Sequence, residues 1–237
     1  MSEGKSGGNL KTFYIIFAVV AAVGLGAVGY SVGSNYFSKA VSEPVELDGT
    51  DDLRQLAEMA IPVVVGDENA PVTIIVFEDY LCNHCAQFSL FEKPRVLSEL
   101  VEPGIARLLY YDFPLNPQLG SFIAARAARC AGDQDRFWDY HHILMRNQMT
   151  WGMESNQIPV FEDYARTLEM DVGAFMGCVN SDAHAELVSA NLALAQSLGL
   201  PGTPAILVGS GNGMSRRLPD YYFASIKAAV DAILEGS

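Results

Sequence analysis

The 237-residue sequence predicts an α/β fold interrupted by a block of helices and preceded by an N-terminal membrane helix. Three observations carry that reading. Val72–Phe77 (VTIIVF) is an unbroken, mostly β-branched run, as expected of a strand buried on both faces. Leu119–Leu200 holds one proline, Pro159, and repeated 3.6-residue periodicity. Thr12–Ser38 contains no charged residue.

The elements follow in order. Phe13–Val32 is mostly apolar and has the length of about 20 residues that crosses a bilayer as a helix. Tyr14, Tyr30 and Tyr36 stand near its ends, where amphipathic rings favour the interface. This divides the start of the chain into a cytoplasmic segment 1–11, an anchor 12–38 and a tether with a short helix at 39–61. A cleaved signal peptide ending near Leu25-Gly26-Ala27 is the alternative, although the apolar run exceeds a usual signal core. Either way the body, 62–237, is expected outside the cytoplasm on a single-pass chain. Pro62–Val65 is a short strand, Gly66–Pro71 a turn, and Val72–Phe77 the central strand. Cys82–Leu100 reads as a helix kinked at Pro94, and Arg107–Asp112 as the next strand. Helices at 122–130, 136–148, 161–169 and 182–198 make up an insertion at about 115–200. Pro204–Val208, the Gly209–Gly213 turn and a helix within Pro219–Leu234 close the fold.

The net charge is −13, and residues 41–237 alone carry 12 basic against 27 acidic side chains. Nucleic-acid binding needs a basic footprint and is excluded. Four cysteines are too few for a disulfide scaffold.

Cys82-Asn83-His84-Cys85 follows the central strand and opens a helix. At a helix N-terminus the unpaired N–H groups and the dipole favour an anion, so Cys82 is placed to be a reactive thiolate. Cys85 lies one turn on, within disulfide reach. His84 adds a positive charge or a hydrogen bond. Half a zinc site is the other reading, but Cys130 and Cys178 do not form a second C-x-x-C to complete it. Pro201-Gly202-Thr203-Pro204 precedes the last long strand. A cis Thr203–Pro204 bond, cheap for X-Pro, would turn the Thr203 backbone toward the cysteines.

Together these features resemble the DsbA-like thiol–disulfide oxidoreductases, a thioredoxin fold with an inserted helical domain, and most of all their membrane-tethered, BdbD-like branch. The resemblance runs from about Pro62 to Leu234 and rests on VTIIVFEDY leading into CNHC, on the helical insertion and on GTPAILVG. It implies that Cys82 attacks and is attacked, that Cys85 is its buried partner, and that Thr203 and cis-Pro204 face the pair and hold an extended substrate. Asn83 and His84 support the site. The implied substrates are reduced or unfolded proteins, with reoxidation by a quinone-linked membrane partner and no cofactor. A second disulfide, Cys130–Cys178, is implied in the insertion. Two positions depart from the family: Asn83 replaces a usual proline, and Val76 stands where a buried acid is common. Glu78 or Asp79 could take over proton transfer, but both read more simply as a solvated strand end. His141, His142 and His184 receive no role. The competing function classes are a reductase or isomerase, and a metal chaperone using Cys82, His84 and Cys85 as ligands.

Overall fold

The computed structural model describes residues 14–17, 19–20, 40–48, 52–210 and 215–236. Residues 14–17 and 19–20 are helical; the rest of the expected anchor, the candidate cleavage site and Gly211–Gly213 lie outside the described residues. No helix among the described residues is long and apolar enough to cross a membrane.

From Ala40 onward the chain forms one compact unit. Among the described residues its strands are β1 (Val63–Val65), β2 (Val72–Glu78), β3 (Ala106–Asp112), β4 (Ala205–Ser210) and β5 (Arg216–Arg217). Their order in the sheet is β1-β3-β2-β4-β5. β2 runs parallel to β3 and antiparallel to β4, so Val76 sits between Tyr110 and Ile206, and Glu78 opposite Asp112. That central place explains the apolar run: both faces of β2 are covered. Val72, Ile74 and Val76 enter one core with Cys85, Phe88 and the insertion, whereas Phe77 enters a second with Leu56, Phe113 and Leu194. Strand periodicity puts Glu78 on the Val76 side.

The first helix of this unit, α1 (Leu53–Met59), is capped by Asp52. After β2 the chain is helical from Asn83 to Val101 in four pieces: α2 (Asn83–Gln87), a π turn at Phe88–Glu92, α3 (Lys93–Val96) and a π turn at Leu97–Val101. The helix therefore does not break at Pro94. Pro94 falls in the first turn of α3, and the π turn before it moves the hydrogen-bond register one residue on, so Lys93 N–H reaches Phe88 O.

The insertion holds α4 (Ser121–Gly132), α5 (Phe137–Arg146), α6 (Gln148–Trp151), α7 (Ile158–Thr167), α8 (Val172–Val179) and α9 (Ala185–Ser197); α10 (Phe223–Glu235) closes the chain. α8 was not separately expected from the sequence; Asp171 caps it by accepting from Ala174 N–H. The segment read as a tether also differs. Val41, Val45 and Leu47 pack against the two cores, Val45 N–H donates to Ser189 Oγ, and Val41 O accepts from Arg126. Its apolar side chains find burial on the insertion, which local composition does not reveal.

Candidate active site

β2 delivers the chain to the sheet end, and Cys82 caps α2 there in extended conformation. Cys85 N–H donates to Cys82 Sγ at 3.4 Å, and the Cys82 thiol lies 3.3 Å from Thr203 O. The Thr203–Pro204 peptide is cis. The structure thus brings Cys82, Cys85, Thr203 and Pro204 to one place across 121 residues of sequence. Gln148 on α6 donates to Tyr80 O and Cys82 O at 2.8 and 3.0 Å, fastening the insertion to the cysteine loop.

The two sulfurs are pushed in opposite directions. A hydrogen bond from the Cys85 thiol brings Cys82 down to about 5, against partial burial; Thr203 and the backbone N–H groups of Cys85 and His84 act in the same sense. Cys85 is fully buried, and burial first, then its bond to Cys82 and the charge of Glu78, hold its thiol well above the ordinary range. Cys82 is therefore a thiolate at neutral pH and Cys85 a thiol.

His84 contributes through its backbone. Its ring Nδ1 lies 3.0 Å from Tyr221 Oη and 3.3 Å from Gln87 Oε1, and Tyr221 Oη also donates to Gln87 at 2.7 Å. Asn83 is the first residue of α2.

The solvated-strand-end reading of Glu78 and Asp79 is overturned, since each is 1% exposed. Asp79 holds the loop: Oδ1 accepts from Leu81 N–H and Oδ2 from Leu115 N–H, both at 2.7 Å. Glu78 belongs to a buried polar chain. Ser89 Oγ donates to its carboxylate at 3.1 Å, His141 Nε2 lies 3.1 Å from Oε2, and Lys93 Nζ lies 3.2 Å from His141 Nδ1. With Lys93 donating to Nδ1, the ring proton belongs on Nε2 and is given to Glu78. Burial raises Glu78 to about 7 despite the opposing charge of Lys93. The same burial lowers Lys93 to about 8 and keeps His141 neutral, well below the usual imidazole range. His141 is thus no idle histidine. Sequence reading missed this chain, although one signal was present: Cys85, Ser89 and Lys93 recur every four residues, on one helix face.

Cys130 in α4 and Cys178 in α8 are joined by a disulfide with Cα atoms 5.8 Å apart. His142 is exposed, whereas His184 lies beside the disulfide.

Residues 59–222 match the family model described as Thioredoxin. The chain is 25% identical over 234 residues to the probable disulfide bond formation protein D of Bacillus cereus, covering 96% of this chain and 98% of that protein. It is 26% identical to disulfide bond formation protein D of Bacillus subtilis, over 73% of this chain and 77% of the relative. Among solved structures, oxidised BdbD from Bacillus subtilis superposes with a TM-score of 0.66 at 22% identity, covering 84% of this chain and all of that one. α-DsbA1 of Wolbachia pipientis gives 0.66 at 18% identity, over 76% and 96%. The family model spans more than half of the chain and the curated relatives are disulfide bond formation proteins, so the chain belongs to the thioredoxin family, in its DsbA-like branch, as a protein thiol–disulfide oxidoreductase.

Proposed function

We propose that Cys82 and Cys85 are the redox pair, and that the enzyme acts outside the cytoplasm as a disulfide donor, tethered through residues 12–38. The observation that carries this reading is the opposed setting of the two sulfurs. A substrate thiolate attacks Cys82 of the Cys82–Cys85 disulfide; the S–S bond breaks, and its electron pair leaves on Cys85, which takes a proton. A second substrate thiolate then attacks the mixed disulfide and expels Cys82, a good leaving group because its thiolate is stabilised. The substrate has lost two electrons and the enzyme has gained them.

Stabilisation of the Cys82 thiolate acts on the reduced form only, since a disulfide carries no charge. It favours reduction of the enzyme as pH rises above about 5, and so favours oxidation of the substrate. Thr203 and Pro204, beside the Cys82 sulfur, present backbone to an extended substrate chain. Glu78, with His141 and Lys93 behind it, supplies a proton to Cys85 as it leaves and accepts one when Cys85 must attack during reoxidation. This fills the place left by Val76. A membrane quinone-linked partner takes the electrons; the uncharged Thr12–Ser38 run supports placing the enzyme beside it.

Alkylation of the reduced protein across pH, paired with its reduction potential, tests the reading. The expected result is Cys82 titration near 5 and a potential above thioredoxin's. Titration near the ordinary thiol value, with a potential at or below thioredoxin's, would assign a reductase instead.

A further inference from the structure

Away from the redox pair, the Cys130–Cys178 disulfide is surrounded by metal-type donors. Cys130 Sγ, Cys178 Sγ and a His184 ring nitrogen lie within 4.8 Å of one another. Asp133, three residues after Cys130, places Oδ2 2.9 Å from His184 Nε2 and 3.6 Å from Cys178 Sγ. A tetrahedral zinc shell with ordinary bond lengths sets sulfur and oxygen ligands about 3.6 Å apart and two sulfurs about 3.8 Å apart. With their Cα atoms 5.8 Å apart, the two cysteines can reach that separation by side-chain rotation once the S–S bond is open.

The frame has supports besides that bond. Arg126, fully buried on α4, donates to Cys178 O, Ser181 O and Ala183 O, so one guanidinium holds the whole turn from Cys178 to His184. Ser181 tightens the turn by donating to Cys178 O and accepting from Ala183 N–H. Gln134 exchanges two hydrogen bonds with Asp171, tying the end of α4 to the start of α8. His184 itself takes a left-handed backbone (φ 59°), a conformation a non-glycine residue rarely adopts, and this directs its ring at Asp133. Asp133 is half-exposed and borders a surface cleft of about 470 Å³, which gives an ion a route in. Charges also balance: two thiolates and a carboxylate face a divalent cation and Arg126.

We propose that Cys130, Asp133, Cys178 and His184 form a redox-gated site for a borderline-soft divalent cation, zinc by ligand type. A dithiol reductant delivers two electrons to the Cys130–Cys178 bond and itself closes to a disulfide; the two thiols then release their protons to solvent as the cation binds. The oxidised chain has no thiolates to offer and holds no ion. Metal thus replaces the disulfide as the staple of the insertion when the chain is reduced.

The test uses the full-length chain carrying Cys82→Ser and Cys85→Ser, which removes the other thiols. Reduced anaerobically and titrated with cobalt(II), it should bind one equivalent with thiolate charge-transfer and tetrahedral absorption bands, and zinc should bleach them. The oxidised protein should give none. His184→Ala and Asp133→Asn should each weaken cobalt binding by about tenfold or more, whereas His142→Ala on the exposed face of α5 should not. Absence of the bands at equimolar cobalt, binding unaffected by His184→Ala, or loss of the helical circular-dichroism signal on reduction would each overturn the proposal, the last because the Arg126 frame would then not hold the ligands.

Discussion

The two cysteine pairs occupy regions of opposite character. Cys82 and Cys85 sit where a strand meets a helix, with backbone N–H groups aimed at one sulfur and apolar burial around the other. Cys130 and Cys178, 48 residues apart in sequence, join two helices, with Cys130 buried and the turn after Cys178 clamped by Arg126. Two residues separate the first pair, yet their acidities are driven apart. What makes a cysteine pair reactive is therefore the asymmetry of its surroundings: one sulfur stabilised as an anion and reachable, the other kept neutral and hidden. The second pair is closed as a disulfide between two helices, with no helix-opening N–H group aimed at either sulfur among the described residues, and serves as a staple.

The largest expected effect falls on the first pair. Cys82→Ser abolishes turnover, while Cys85→Ser leaves mixed disulfides standing at Cys82; non-reducing gels and mass spectrometry of trapped adducts distinguish the two. If Cys85→Ser trapped no substrate at Cys82, the division of roles would be wrong.

Glu78→Gln comes next. Proton transfer by a positioned group is worth on the order of 10²-fold or more, so reoxidation through Cys85 should slow by about that factor at pH 7. The sign follows from the raised value of Glu78: the base form appears as pH rises through about 7, and the wild-type rate should rise with it. A Glu78→Gln profile that kept this inflection would remove Glu78 from the reaction. His141→Ala should displace the inflection without abolishing it, because His141 acts through Glu78.

The second pair is probed by stability. Closing a loop of 48 residues is worth about 4 kcal/mol in the chain-entropy model, an upper figure. Urea unfolding of the Cys130→Ala, Cys178→Ala double variant should show a loss of that order. A loss below about 1 kcal/mol would mean that Arg126 and the surrounding core already hold the insertion.

The smallest effects sharpen the asymmetry. Thr203→Val takes away a side chain that helps lower Cys82 and should move its titration upward from about 5, while the contact with the Thr203 carbonyl remains. His84→Ala should move it less, because the ring is engaged by Tyr221 and Gln87 and the backbone N–H survives the substitution.

Much of this was legible in the sequence, for reasons local to the chain. A β-branched run predicts a buried strand, so β2 was found within one residue of its end. A C-x-x-C placed where a helix opens predicts a stabilised thiolate at Cys82, because the cap geometry belongs to consecutive residues, whereas the burial of Cys85 came from the resemblance. The insertion showed itself through helical periodicity and scarcity of proline. The resemblance added the Cys130–Cys178 pairing and the meeting of Thr203-Pro204 with Cys82, which no local rule supplies.

Only the tertiary structure decided the rest. Glu78 and Asp79 look like a charged strand end, and their burial depends on α5 and the 113–116 loop folding over them, contributed from 36 residues or more away. His141 carries no local mark of function, and Lys93 only its four-residue spacing from Ser89 and Cys85; their chain exists because two helices from different parts of the sequence bring them together behind one carboxylate. The turn from Cys178 to His184 is likewise shaped by Arg126, more than 50 residues upstream. Sequence determines what a residue can do through its type and its neighbours along the chain. Whether a charge is buried, and what then answers it, is set by contacts between segments, and the energy of such a contact is unreadable until both partners are in place.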